Sequence, residues 1–229
     1  VTGRLGEAGS MSALSVPVPA FFAASEMTVG VVGSAPVADR WEAHSAVEGF
    51  TVGGLVAHLY SAIRLFESAL QRPEPDSPRV RVGIPEFYGL NRVDNRDQVE
   101  DGFHAGLRAD AEKRAGRGPA DLAGRFEELI DRLRCTLSAE PMTRLVPVWR
   151  IAGGATPLAD YLRTRVVELV VHADDLAVSA GMEVEVPDEA ASAAFAVFLE
   201  LARERSGDVA VLRSFARRER GDPEVLRVL

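Results

Sequence analysis

Apolar residues recur along this chain with the spacing of amphipathic α-helices, and runs that alternate like β-strands are nearly absent. The clearest repeat lies in residues 52–70, where apolar side chains are three or four positions apart. It consists of Val52, Leu55, Val56, Leu59, Ile63, Phe66 and Leu70. Thr51 precedes the repeat, and its hydroxyl can accept a hydrogen bond from a free N–H of the first turn. The pattern therefore predicts a helix that Thr51 caps and that buries one face.

The same periodicity predicts about seven helices in the whole chain. The others cover residues 19–34, 94–114, 119–137, 156–180, 188–205 and 208–220. Pro119 suits the first turn of its helix, and Gly181 suits the left-handed position that ends another. Residues 72–90 are rich in Pro and Gly and are predicted to be a loop, whose length is typical of functional loops. Residues 144–154 are predicted to be extended or irregular, and residues 224–229 to be an extended piece that can add one strand.

Four of the predicted helices are long enough to form a bundle. We therefore predict a mainly α protein, built as a four-helix bundle with two short extra helices at the C-terminal end. Residues 1–18 are expected to be a flexible N-terminal extension. The bundle then occupies residues 19–181, and residues 182–229 form a short C-terminal helical extension.

Charge and composition exclude several classes of partner. The 229 residues carry a formal net charge of −8, so there is no domain-wide positive field for nucleic acid. No run reaches the ~18 apolar residues of a membrane span, and the N-terminus does not resemble a signal peptide. We therefore expect a cytoplasmic protein without a membrane partner. Cys135 is the sole cysteine, which excludes an intrachain disulfide and a cysteine-rich zinc site.

Three residues are candidates for one metal site. Glu168 and His172 are four positions apart on a predicted helix, so their side chains lie on the same side, one turn apart. His58 lies at the edge of the apolar stripe of the 52–70 helix. A shared cation would offset the cost of desolvating these groups, and such a set leaves open positions for water or substrate. A chance Glu/His pair and a core histidine remain the alternatives.

Three further residues near this set have two interpretations each. Arg165 lies on the same inward half of the helix, where it can hold an anion or pair with a carboxylate such as Asp175. Tyr161 can donate a proton near the metal or pack in the core. Asp175 can orient an imidazole or lie in solvent. Arg165 and Tyr161 are the candidate catalytic residues.

Two segments resemble signatures of the DinB-like superfamily. GFTVGGLVAHL (49–59) resembles its opening helix, with Phe50 in place of the usual Trp. RTRVVELVVHADDLAVSAG (163–181) resembles the second signature of the branch that contains mycothiol-dependent maleylpyruvate isomerase. The resemblance implies a DinB-like four-helix bundle that holds a divalent metal, usually zinc. The implied metal ligands are His58, Glu168 and His172.

The resemblance also implies a low-molecular-weight thiol, mycothiol in actinobacteria, as cosubstrate. A metal ion lowers the pKa of a thiol and leaves a reactive thiolate near neutral pH. The expected function is therefore a metal-dependent transferase or isomerase that acts on a small electrophile with this thiol. A hydrolase that uses metal-bound water and a non-enzymatic metal- or ligand-binding protein remain alternatives, and a homodimer is left open.

The resemblance to the isomerase weakens at the C-terminal end of the chain. Residues 182–229 are shorter than the α/β domain that contributes a substrate-binding arginine in the isomerase. The resemblance therefore implies the metal site and a thiol, and it does not extend to maleylpyruvate as the substrate.

Overall fold

The computed structural model describes residues 17–89, 102–148 and 151–229. These residues are mainly helical, as predicted. The helices are α1 (Pro17–Val32), α2 (Ala35–Asp39), α3 (Val52–Leu70), α4 (Ile84–Gly89), α5 (Gly102–Ala115), α6 (Pro119–Leu137), α7 (Leu158–Ala180), α8 (Asp188–Ser206) and α9 (Asp208–Ala216), followed by a 3-10 helix at Pro223–Leu226. The strands are β1 (Val80–Arg81), β2 (Leu145–Pro147) and β3 (Gly154–Pro157). No helix among the described residues is both long enough and apolar enough to span a bilayer.

The long helices form the predicted four-helix bundle. Helices α1 and α3 each pack against both α6 and α7, and the core lies between them. Phe21, Phe66 and Phe126 are fully buried there. All seven apolar residues of the repeat in α3 are buried, which confirms the face predicted from their spacing. Helix α5 covers the outside of α3, and α8 packs against α1 and α7.

The residues predicted to begin or end three of the helices do so in the structure. The hydroxyl of Thr51 accepts from the N–H of Gly54 at 2.9 Å and caps α3. Pro119 occupies the first turn of α6, and Gly181 ends α7 with a φ of 68°. That backbone conformation is strained for residues with a Cβ and accessible to glycine.

Several short elements differ from the prediction. The segment 72–90 contains β1 and the six-residue helix α4, and α2 follows α1 directly. These elements are too short to show a hydrophobic period. The prediction of a strand at residues 224–229 is wrong, because Pro223–Leu226 forms a 3-10 helix. The side chain of Asp222 caps this helix by accepting a hydrogen bond from the N–H of Glu224. Residues 1–16 of the predicted extension and 94–101 of a predicted helix lie outside the described residues.

A small sheet joins the segment 72–90 to the start of α7. Strand β3 pairs in parallel with β1, in register Val80↔Gly154, and antiparallel with β2, in register Val146↔Thr156. Because β3 continues directly into α7, this sheet fixes where that helix begins.

The start of α3 is held by two side chains that need adjacent glycines. The carboxylate of Glu112 accepts from the N–H and the hydroxyl of Thr51, both at 2.8 Å. The indole N–H of Trp41 donates to the carbonyl of Ala115 at 3.0 Å. A Cβ on Gly53 would lie 2.5 Å from the Trp41 ring, and one on Gly54 would lie 2.0 Å from Glu112 Oε1. These glycines therefore let α5 and the loop before α3 approach its first turn.

Gly53→Ala is expected to lower the free energy of unfolding by about 1–3 kcal/mol, because the new methyl group overlaps the buried Trp41 ring. Gly124→Ala in α6 is the matched control, since a Cβ there meets no atom within 4 Å. That change should raise stability by up to about 1 kcal/mol through helix propensity. Urea denaturation measures both values, and equal effects of the two substitutions would contradict the close packing at Gly53.

Candidate metal centre

The three sequence-predicted metal ligands come together between two bundle helices. His58 is on α3, and Glu168 and His172 are on α7, which packs against α3. One ligand atom of each side chain lies within 4.8 Å of the ligand atoms of the other two. All three residues are half-buried, so the group lies at the edge of the core and retains contact with solvent.

Within this group, the two α7 side chains point at a common position. His172 Nε2 is 3.6 Å from Glu168 Oε2, which reflects their spacing of one helical turn. The rings of His58 and His172 meet edge to face, with their centroids 5.3 Å apart. The ring of Phe50 lies 5.3 Å from the His58 ring. Phe50 therefore packs against a candidate ligand.

Asp175 fixes the orientation of His172. The Nδ1 of His172 is 3.0 Å from Asp175 Oδ2. Because an ionised carboxylate only accepts, Nδ1–H is the donor in this contact, and Nε2 is the ring nitrogen that faces Glu168. Of the two interpretations of Asp175, the structure therefore supports orientation of the imidazole.

Glu168 is ionised because cationic groups surround it. Burial alone would raise the pKa of its carboxyl, but Arg165, then His172 and His58, outweigh burial and lower it. Arg165 Nη2 is 3.5 Å from Glu168 Oε1. The carboxylate partner of Arg165 is thus Glu168, whereas Asp175, the partner suggested from the sequence, contacts His172.

The imidazole of His172 is more basic than an ordinary histidine. Burial favours its neutral form, but the hydrogen bond to Asp175 and the negative charge of Glu168 outweigh burial and raise its pKa. A cation that binds Nε2 must therefore compete with a proton on this ring.

Aromatic rings hold the guanidinium of Arg165 in place. Arg165 is 5% exposed, and its Cζ lies 5.6 Å from the ring centroid of Phe87 and 5.4 Å from that of Tyr161. Its Nε donates to the Thr164 hydroxyl at 3.2 Å. The Tyr161 ring also contacts Phe66 and is 3% exposed, so the structure places it in the core beside the guanidinium. Burial raises the pKa of the Tyr161 phenol.

Phe87 and Tyr88 are parts of the site that the sequence did not indicate. Both are on α4, inside the segment predicted to be a loop. The Tyr88 hydroxyl donates to the carbonyl of Thr164 on α7 at 3.4 Å, and burial strongly raises the pKa of this phenol. The unusual length of the 72–90 segment was the available signal. Its helix α4 lies against α7 next to Arg165.

The donor set fits a divalent ion of the zinc type. Two imidazole nitrogens and one carboxylate oxygen are ligands that zinc accepts, and three protein ligands leave further positions open. The contact between Asp175 and His172 matches the carboxylate–histidine pairs that orient metal-binding imidazoles. The cluster could therefore hold a metal ion.

Comparison with known proteins gives a match to a family model and a match to a solved structure. The family model for the mycothiol maleylpyruvate isomerase N-terminal domain matches residues 22–177, a span that contains all three candidate ligands. A crystal structure of the mycothiol-dependent maleylpyruvate isomerase is similar at 18% identity with a TM-score of 0.46, covering 84% of this chain and 67% of that chain. No curated protein sequence matches significantly.

In metal-free protein, Asp175→Asn is expected to lower the pKa of His172, because it removes both the charged acceptor of Nδ1–H and a neighbouring negative charge. The exposed neighbour gives a matched control, and Asp174→Asn should leave the pKa of His172 unchanged. NMR titration of the imidazole resonances measures this pKa, since the chain has four histidines. An unchanged pKa in Asp175→Asn would contradict the orienting contact.

Proposed function

This chain belongs to the mycothiol maleylpyruvate isomerase N-terminal domain family, and on that basis we propose that it is a metal-dependent enzyme using a low-molecular-weight thiol. The substrate is a small electrophile, to which the thiol is transferred or which is isomerised with its help. The thiol is mycothiol or a close chemical equivalent. The observation that carries this proposal is the convergence of His58, Glu168 and His172, with Asp175 orienting one imidazole.

The proposed roles of the ligands follow from their chemistry. His58, Glu168 and His172 would hold a zinc ion, which would lower the pKa of a bound thiol and make it nucleophilic at neutral pH. Asp175 keeps the proton of His172 on Nδ1, so that Nε2 is the ligand atom. Because the pKa of His172 is raised, zinc affinity should increase as the pH rises through that pKa.

Arg165 is proposed to bind the anionic group of the substrate. Its guanidinium contacts one oxygen of Glu168, and the aromatic rings of Phe87 and Tyr161 restrict its position. When Glu168 serves as a metal ligand, its negative charge is shared, and the guanidinium can donate to a second anion. An electrophile that carries a carboxylate would be oriented in this way.

Tyr161 is proposed to act only in its neutral form. Burial raises the pKa of its phenol, so the hydroxyl keeps its proton at physiological pH. A neutral phenol can donate a hydrogen bond or a proton and cannot serve as a base, so the role proposed for Tyr161 is that of a donor.

Purified protein supplied with zinc should contain close to one ion per chain by inductively coupled plasma mass spectrometry. His58→Ala should lose most of this zinc, because only two ligands remain. His44→Ala is the matched control, since His44 is exposed and lies outside the candidate ligand group, and it should keep the ion. Full zinc content in His58→Ala, or no zinc in the parent after reconstitution, would refute the metal site.

Mycothiol should raise the melting temperature of the zinc-loaded protein, because a ligand that binds only the folded state stabilises it by about 2.7 kcal/mol at a hundredfold excess over its Kd. S-methyl mycothiol is the control ligand, as it has the same sugar scaffold and no free thiol. Its shift should be smaller, and metal-free protein should respond weakly to both. The thiol proposal fails if millimolar mycothiol gives no shift, or gives the same shift with and without zinc.

A further inference from the structure

A cavity lined by arginines lies on the other side of α3 from the metal centre. Its volume is about 260 Å³, and it opens between α3, α5 and α6. The lining residues are Tyr60, Arg64, Arg114, Arg117, Leu122 and Arg125. Four of these six side chains are cationic, and they come from three separate segments of the chain.

The position of this cavity separates it from His58. Tyr60 and Arg64 are one turn apart on α3 and share a face. At about 100° per residue, Tyr60 lies about 200° around the helix from His58. His58 faces α7, whereas the cavity is completed by α5 and α6. The cavity is therefore a separate site.

The charge of the cavity contrasts with that of the whole protein. The chain carries a formal net charge of −8, so a group of four arginines is not a sample of a generally basic surface. Asp121 pairs with Arg125 at 2.7 Å and with Arg117 at 3.9 Å. Among the described residues, Arg64 and Arg114 have no carboxylate within ion-pair distance. The group therefore keeps an excess of positive charge.

Arg64 supplies a donor that needs an acceptor. Its Nε atom is shielded from solvent and has no hydrogen-bond partner among the described residues. A shielded N–H without an acceptor is destabilising, so such donors are rare in folded proteins. The C-terminal end of α5 attracts positive charge and accounts for Arg114 in its last turn. It does not account for Arg64, which reaches the cavity from another helix.

We propose that this cavity binds a small molecule that carries a phosphate group. Guanidinium groups bind phosphate oxygens through paired N–H donors, and several arginines around one cavity suit an anion with more than one charge. The Tyr60 ring and the buried side chain of Leu122 provide an apolar wall for the carbon atoms of the ligand. The volume is below that of a typical drug-sized site, which favours a phosphate ester with few carbon atoms.

Isothermal titration calorimetry with inorganic phosphate and pyrophosphate, in chloride buffer at constant ionic strength, tests this site. Each anion should bind the parent protein at a single saturable site. Arg64→Gln should weaken binding about tenfold or more, because it removes the shielded donor and one charge. Arg213→Gln, which makes the same charge change on α9 away from the cavity, should leave the affinity unchanged.

A second variant covers the case in which Arg64→Gln does not fold. The side chain of Arg125 is exposed at the cavity, and Arg125→Gln should weaken phosphate binding in the same way.

The same titrations distinguish this cavity from the metal centre. His58→Ala and metal-free protein should bind phosphate as tightly as the zinc-loaded parent, and loss of binding in either would place the anion at the metal and overturn the proposal. Absence of saturable binding to the parent would also overturn it, as would an affinity that neither Arg64→Gln nor Arg125→Gln reduces. Tighter binding of succinate than of phosphate and pyrophosphate would assign the cavity to dicarboxylates and reject the phosphate ligand.

Discussion

A carboxylate that is held largely out of water needs cationic partners, and Glu168 imposes this requirement where α3 meets α7 at the edge of the core. One of its oxygens faces Arg165, and the other faces His172. Both partners are on the same helix, so α7 compensates this charge locally. His58 reaches the group only because α3 packs against α7. The proposed metal site is therefore a consequence of where two helices meet.

The groups around Glu168 form a chain with alternating charge. Asp175 contacts His172, His172 contacts Glu168, and Glu168 contacts Arg165, each in turn. The last member rests between the rings of Phe87 and Tyr161. Such a chain keeps every charged group near a partner of opposite sign, which limits the cost of desolvation.

Long periodic segments and helix caps were predictable, because they depend on residues that are close together in the sequence. The burial of the α3 repeat, the Thr51 cap and the Gly181 terminus all follow from neighbouring residues. The convergence of His58, Glu168 and His172 was predictable from helical spacing together with the family signatures. The partner of Arg165 could also have been predicted, because Glu168 lies three positions along the same helix, whereas Asp175, the partner suggested from the sequence, lies ten positions away. The position of Phe87 could not, because it depends on how distant segments pack. The arginine cavity was missed for the same reason, since its residues are scattered between positions 60 and 125.

The location of α4 affects how this scaffold can diversify. The candidate ligands are on α3 and α7, while Phe87 is on α4, in the segment that follows α3. That segment is attached to the start of α7 through the pairing of β1 with β3. Changes in residues 82–89 can therefore reshape the wall beside Arg165 without moving the ligand-bearing helices. The proposed ion-binding residues are thus structurally separate from the residues beside Arg165, so related sequences can keep the former while varying the latter.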